Sequence, residues 1–259
     1  MCTLTFVPYG QGYLAGMNRD ELLSRPRALP PALSHGPRFS ALYPREPSGG
    51  TWIGCNALGN LLALLNWNDV NKAGARPQTA SRGIVIPELI FEADSSGTSR
   101  KISSFNLAGI YPFRLIGVFP DEQFVCEWRW DGTLLQSAKL PWKRRHWFSS
   151  RVSDVEAEQV RGRTCEAVAA ATAGETSRDW LATLHRSHEP ERGAFSVCVH
   201  REDVATASYT EIHCDANVVS ISYVDGPPCG THDSDLIVGL GLPLAGPPRA
   251  AARTLAAIS

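Results

Sequence analysis

Cysteine at position 2 is the residue of this chain with the most chemistry within reach. Once the initiator Met1 is removed, Cys2 carries a thiol and a free α-amine together. Their reference pKa values, about 8.5 and about 7.7–8.0, both lie near neutrality. The neutral amine can therefore take the thiol proton, giving a nucleophile activated by its own N-terminal base. Further on, Asn18-Arg19-Asp20-Glu21 offers an amide, a cation and two carboxylates in succession. Alone, an early cysteine reads as a small core residue or part of a frayed end. The catalytic reading requires that the chain bring Cys2 and the later cluster together.

The neighbouring residues predict that it does. Cys2-Thr3-Leu4-Thr5-Phe6-Val7 alternates polar and apolar residues as a strand does. Residues 8–12 read as a turn and 13–18 as a returning strand. An antiparallel hairpin of that form sets Asn18, Arg19 and Asp20 beside Cys2. A second hairpin follows: Gly49-Gly50-Thr51-Trp52-Ile53-Gly54-Cys55-Asn56, a tight turn at 57–60, and a buried strand ending at Asn66. Between the two hairpins, the polar and Pro-rich stretch 24–50 reads as a long ordered loop.

Ser81-Arg82-Gly83 opens an apolar run to residue 91, read as a helix with Pro87 inside it, and 94–101 reads as a polar connection. Strands are expected at 114–119, 123–130 and 134–139. Ser153-x-x-Glu156 is a capping box opening an Ala-rich helix to Ala173, and a second helix covers 178–186. Strands at 194–200, 205–213 and 218–224 complete the pattern. Strands, then helices, then strands, joined by hairpin signals, predict an α+β fold with antiparallel sheets. The chain 1–259 is read as one domain with a low-information tail from about Gly226.

Composition narrows the function. With 43% hydrophobic and 20% charged residues the chain can bury a full core. A net charge of -1 and no long basic run argue against nucleic acid as the main partner. Lys143-Arg144-Arg145, between Trp142 and Trp147, reads as a solvated turn. No apolar run is long enough to span a membrane, and no secretory leader is visible. Seven scattered cysteines, an odd number without a regular framework, indicate reduced thiols and a cytoplasmic setting.

Met1-Cys2, Asn18-Arg19-Asp20-Glu21, Arg25-Pro26, Gly49 to Gly54 and Ser81-Arg82-Gly83 occur in one order. Together they resemble the NRDE family, named for its Asn-Arg-Asp-Glu motif, whose eukaryotic members are called transport and Golgi organisation proteins. The family looks like a branch of the N-terminal-nucleophile hydrolases, which implies a four-layer αββα sandwich of antiparallel sheets. It is similar in pattern to bile-salt hydrolase and penicillin-acylase-like amidases. That likeness implies an amidohydrolase or acyltransferase acting at a non-peptide C–N bond of a small-molecule acyl substrate. On this resemblance Cys2 is the nucleophile, Asp20 holds its α-amine, and Asn66 donates to the oxyanion. In those amidases an arginine precedes the asparagine of the motif. Here Met17 holds that place and Arg19 follows Asn18, which leaves Arg19 displaced and makes Arg82 the alternative cation.

Other constellations carry less. His213-Cys214 with Cys229 and His232 offers four soft ligands, but adjacent strand residues point apart and the spacing fits no finger, so no metal site is expected. No dinucleotide, Walker or nucleophile-elbow fingerprint is present, and no cofactor is expected. Trp52, Trp67, Trp128, Trp130, Trp142 and Trp147 read mainly as core, with some left to line an apolar cleft. The competing reading is a non-catalytic carrier of an acyl-lipid or haem ligand on the same scaffold.

Overall fold

The computed structural model describes residues 2–70, 79–172, 177–230 and 238–245. β1 (Cys2–Tyr9) and β2 (Gly12–Leu22) form the expected hairpin. Gly10 turns it with φ 55°, a conformation glycine adopts without steric cost. Leu4, Phe6, Tyr13 and Met17 point into one apolar cluster, Val7 and Leu14 into another on the opposite face. This is the period of two that the sequence displays.

The stretch 24–50 is not a long loop. It contains β3 (Leu29–His35) and β4 (Ser40–Arg45). Pro30 and Pro31 conceal β3, and β3 lies at a sheet edge, where missing N–H groups are tolerated. β5 (Ile53–Asn56) and β6 (Leu61–Asn66) make the second expected hairpin. A 3-10 turn at Arg82–Ile84 leads into α1 (Val85–Leu89), whose Pro87 falls in the first turn, where no intrahelical donor is needed. The segment read as a polar connection is α2 (Ser95–Ser104), capped by the Asp94 carboxylate, which accepts from the Gly97 amide. β7 (Phe113–Phe119), β8 (Phe124–Trp130) and β9 (Leu135–Pro141) fall close to expectation.

The turn expected around Lys143-Arg144-Arg145 gives way at Arg145 to β10 (Arg145–Ser149), which pairs with β1. α3 (Asp154–Ala171) starts where the capping box places it, with Ser153 Oγ accepting from the Glu156 amide. Its expected end at Ala173 lies outside the described residues. α4 (Arg178–Arg186) matches its prediction. Residues 194–200 do not form a strand beyond a single bridge of His200 to Ala205. Side chains take carbonyls there instead: Asn18 donates to Val197 O and Arg161 to Ala194 O. β11 (Val204–Cys214), β12 (Val218–Asp225) and β13 (Val238–Pro243) follow, the last in the tail expected to be uninformative.

One antiparallel sheet runs β10-β1-β2-β11-β12-β13 and the other β3-β4-β5-β6-β7-β8-β9. Leu4, Phe6 and Met17 of the first meet Leu61, Ala63, Leu65 and Ile116 of the second in the inter-sheet core. α3 and α4 cover the first sheet through Ala157, Cys165, Trp180 and Leu184. α1 and α2 cover the second through Val85, Ile86, Leu89 and Ile102. The layers are αββα. Among the described residues no helix is long and apolar enough to cross a membrane.

Two neutral histidines, His185 of α4 and His146 of β10, meet at one hydroxyl. His185 Nδ1 is 3.1 Å from Asn18 Oδ1, and its Nε2 is 3.1 Å from Thr5 Oγ1. His146 Nδ1 shares that hydroxyl at 3.1 Å. Burial, with His146 adding, pulls His185 down to about 3. Burial, with Arg144 adding, pulls His146 down to about 4. Both native values lie below the unfolded value of about 6.5, so unfolding takes up protons between them. Stability therefore falls as pH drops from about 6.5 toward 4. In urea unfolding across that window, His146→Gln is expected to reduce proton uptake by about one, a slope change of about 1.4 kcal/mol per pH unit. An unchanged slope would show His146 already charged in the native state.

Candidate active site

Strand register builds the site. Cys2 pairs with Arg19, and Thr3 with Asn18. Opposed residues on antiparallel strands share a face, so Cys2, Met17 and Arg19 point between the sheets. The expected displacement of Arg19 does not occur, because a two-residue step from Met17 preserves the face. Asn18 lies on the other face. Its amide donates to His185 O and Val197 O, both at 2.9 Å, and it ties the hairpin to the helical layer instead of reaching the cleft.

Cys2 opens onto a cleft of about 490 Å³ that is also lined by Arg19, Asp20, Asn66 and Arg82. Arg19 Nη2 donates to Glu46 Oε1 at 2.7 Å and Glu21 Oε2 at 3.2 Å, and its guanidinium lies 4.5 Å from the Trp52 ring. Arg25 reaches the same Glu46 oxygen at 3.0 Å. This wall is a fixed network whose charges largely cancel. Arg82 differs. Its Nη1 donates to Pro112 O at 3.1 Å, and no carboxylate among the described residues lies within ion-pair distance. Burial lowers its pKa, opposed by Cys2 and Glu21, yet a guanidinium stays charged.

The motif glycines explain how Arg82 gets there. Thr51 N donates to Gly83 O at 3.0 Å, and a Cβ on Gly83 would sit 3.0 Å from Gly50 Cα. Gly49-Gly50-Thr51 and Ser81-Arg82-Gly83 are thus two strips of backbone in contact, and both border the cleft. Asn66, the last residue of β6, is half-buried, and its side-chain amide makes no hydrogen bond with the described residues. Of the tryptophans, Trp52 and Trp67 line the cleft. Trp128 and Trp130 pack in the core beneath α2, and Trp147 between the sheets.

Behind the nucleophile lies a cation that sequence reasoning missed. Arg161 of α3 is fully buried; its Nη1 donates to Thr3 Oγ1 at 2.9 Å and Cys2 O at 3.4 Å. Its Nη2 lies 3.8 Å from Asp20 Oδ2, while Thr206 Oγ1 donates to Asp20 Oδ1 at 2.7 Å. One guanidinium therefore spans the Cys2 backbone and the Asp20 carboxylate. Buried Ala157, Arg161 and Cys165 recur every fourth residue, so the docked helix turns this arginine inward, and no motif in the sequence marks it.

Burial raises the Cys2 thiol above its ordinary pKa; Asp20 adds to this and Arg19 opposes it. Burial also raises the Asp20 carboxyl, with Arg161 and Thr206 pulling the other way. Among the described residues no histidine lines the cleft. The thiol thus has no side-chain base of the Cys-His kind beside it. Of the metal ligands considered from sequence, Cys214 is buried in the inter-sheet core and His232 lies outside the described residues. Cys229 gathers instead with His188, Cys198 and His200, away from the cleft lining.

Two facing antiparallel sheets between helical layers, with a cysteine beginning an interior strand, define an N-terminal-nucleophile hydrolase-like fold. Penicillin V acylase from Agrobacterium tumefaciens shares it at TM-score 0.54 and 9% identity, over 87% of this chain and 86% of its own. The C2A mutant of conjugated bile acid hydrolase from Clostridium perfringens does so at TM-score 0.53 and 8% identity, over 90% of this chain and 95% of its own. Residues 1–214 match the model of the Transport and Golgi organisation 2 family, and the chain belongs to that family. No curated protein matches it significantly.

Proposed function

We propose that the protein is a cysteine N-terminal-nucleophile amidohydrolase or acyltransferase acting on a small-molecule acyl amide. The observation that carries this reading is a buried thiol at position 2, in a cleft with Arg19 opposite, Asn66 and Arg82 on its walls and no histidine among its described lining residues. Such a thiol needs a base, and the α-amine released by removal of Met1 is on the same residue. The amine takes the thiol proton and Sγ attacks the acyl carbonyl. Asn66 and a backbone N–H hold the oxyanion. The proton then passes to the leaving nitrogen, the C–N bond breaks, and a thioester remains. Water or an acceptor, deprotonated by the same amine, releases the acyl group. Asp20, fixed by Thr206 and Arg161, orients the amine. The bile acid hydrolase, solved as its C2A mutant, also carries a cysteine at position 2.

A carrier of an acyl chain or haem calls for an apolar cavity, and this cleft converges Arg19, Glu21, Arg25, Glu46 and Arg82. The enzyme reading is the better supported. Its test is the mass of the N-terminal peptide of untagged protein after brief exposure to a panel of acyl amides, with denatured protein as control. An acyl adduct on a Met1-free Cys2, absent from the control, supports the proposal and names the acyl class. Retained Met1 with no adduct from any amide would shift the assignment to the carrier. Asn66→Ala is expected to lower kcat about 10²–10³-fold with little change in KM, since an oxyanion donor acts mainly in the transition state. Steady-state kinetics showing an effect on KM alone would remove Asn66 from that role.

A further inference from the structure

The geometry points to a structural metal site, of the zinc class, formed by His188, Cys198, His200 and Cys229. One ligand atom from each of these side chains lies within 4.8 Å of all the others. His200 Nε2 is 3.6 Å from Cys198 Sγ and 3.2 Å from Cys229 Sγ. A tetrahedral zinc ion, with Zn–S about 2.3 Å and Zn–N about 2.0–2.1 Å, separates neighbouring ligand atoms by about 3.3–3.8 Å. The two separations at His200 Nε2 are close to those dimensions, and the other ligand atoms lie within 4.8 Å of one another. His188 Nε2 is also buried and has no hydrogen-bond partner among the described residues. The rings of His188 and His200 lie 5.1 Å apart at 63°, an arrangement that lets two imidazole nitrogens converge.

Two thiolates and two neutral imidazoles match the Cys2His2 donor set that selects zinc over harder cations. Binding forms two metal–sulfur and two metal–nitrogen bonds and releases the two thiol protons to solvent. Arg192, which is exposed, must shift, because its Nη2 lies 3.2 Å from His200 Nδ1, the nitrogen that carries the proton when Nε2 binds metal.

The placement gives the site a purpose. His188, Cys198 and His200 belong to the irregular segment after α4, and Cys229 to a 3-10 turn after β12. A metal would cross-link two segments with no regular ladder of their own. The same irregular segment supplies Val197 O to Asn18 and Ala194 O to Arg161. Val199 N donates to Thr206 Oγ1, whose hydroxyl donates to Asp20. The metal would therefore brace the layer on which the Cys2 hairpin rests, without entering the cleft.

The test is Co²⁺ titration of the untagged, metal-depleted full chain, read by absorption, with metal analysis of the protein as purified. Expected are one equivalent bound, intense visible bands of four-coordinate cobalt and a charge-transfer band of two-thiolate strength. Cys229→Ser, at a partly exposed position, is expected to weaken binding by more than about 100-fold, beyond the 10–100-fold typical of losing an outer-shell partner. His213→Ala is expected to leave affinity unchanged. Absence of the thiolate band in folded wild-type protein would overturn the proposal, as would unchanged affinity in Cys229→Ser. So would a Cys198–Cys229 disulfide found by alkylation and mass analysis of the purified protein. The wild-type spectrum decides the matter even if the variant fails to fold.

Discussion

Cys2→Ala, and separately a chain that keeps Met1, are expected to fold normally and to lose amide turnover to the same background. For the alanine variant the loss is on the order of 10⁶-fold in kcat, the scale seen when a covalent nucleophile is deleted. Stability changes little by comparison, because Cys2 borders the cleft and alanine keeps its Cβ. About 1 kcal/mol moves the melting temperature of a domain near this size by about 2–4 °C. Retaining Met1, by expression with methionine aminopeptidase inhibited, leaves the thiol intact but moves the free amine by about one Cα–Cα step, 3.8 Å. Burial holds the thiol above its ordinary pKa, so without that amine it stays protonated. Glu21 and Glu46 cannot readily stand in as bases, because both are engaged by Arg19 and Arg25. Single-turnover acylation followed by mass would separate the two requirements. Acylation of the Met1-bearing chain at the mature rate would show that another base serves Cys2. Turnover surviving in Cys2→Ala would remove the cysteine from the mechanism altogether.

The parts legible in the sequence are those set by local pattern. Alternation in residues 2–7 gives β1, Ser153-x-x-Glu156 gives the start of α3, and the tight turn Ala57-Leu58-Gly59-Asn60 gives the β5–β6 hairpin. β3 was hidden because Pro30 and Pro31 contradict a central strand, and only the finished sheet shows that this strand is an edge. α2 was hidden because its sequence is polar nearly throughout and its helix rests on the Asp94 cap and on burial of Thr98 and Ile102. The same division holds at the cleft. Cys2, Arg19, Asp20, Asn66 and Arg82 lie in motifs readable along the chain, and all five line it. Asn18 stands in the same motif, yet its side-chain amide is taken up by His185 O and Val197 O instead of reaching the cleft. Arg161 has no motif at all, and its position follows only when α3 docks on β1 and β10. The His188, Cys198, His200 and Cys229 group is likewise tertiary, since its members come from irregular segments on either side of β11 and β12.

Arg161→Met is expected to be the most destabilising single change near the site. Its guanidinium is fully buried and donates to Thr3 Oγ1, Cys2 O and Ala194 O while lying 3.8 Å from Asp20. Methionine replaces the volume but leaves the carboxylate buried without that cation. Breaking such a pair from one side costs about 3–5 kcal/mol. At about 2–4 °C per kcal/mol the melting temperature should fall by about 6–20 °C. Asp20→Asn in the same chain should recover part of the loss, with a coupling of about 0.5–3 kcal/mol. The deficit also has a sign in pH. Burial already raises the Asp20 carboxyl, and removing Arg161, which opposes that rise, raises it further. A carboxyl with a native pKa above its unfolded value costs stability as pH rises past the unfolded value of about 3.9. The difference between wild type and Arg161→Met should therefore shrink as pH is lowered from 7 toward 4, while the histidine contributions cancel in that difference. Denaturant unfolding of the two single variants, the double variant and wild type across that range supplies every term. Additive single effects, or a deficit independent of pH, would mean that Arg161 supports β1 through its hydrogen bonds alone. A coupled, pH-dependent deficit would make the Asp20–Arg161 pair the element that holds the carboxylate where an α-amine on Cys2 can meet it.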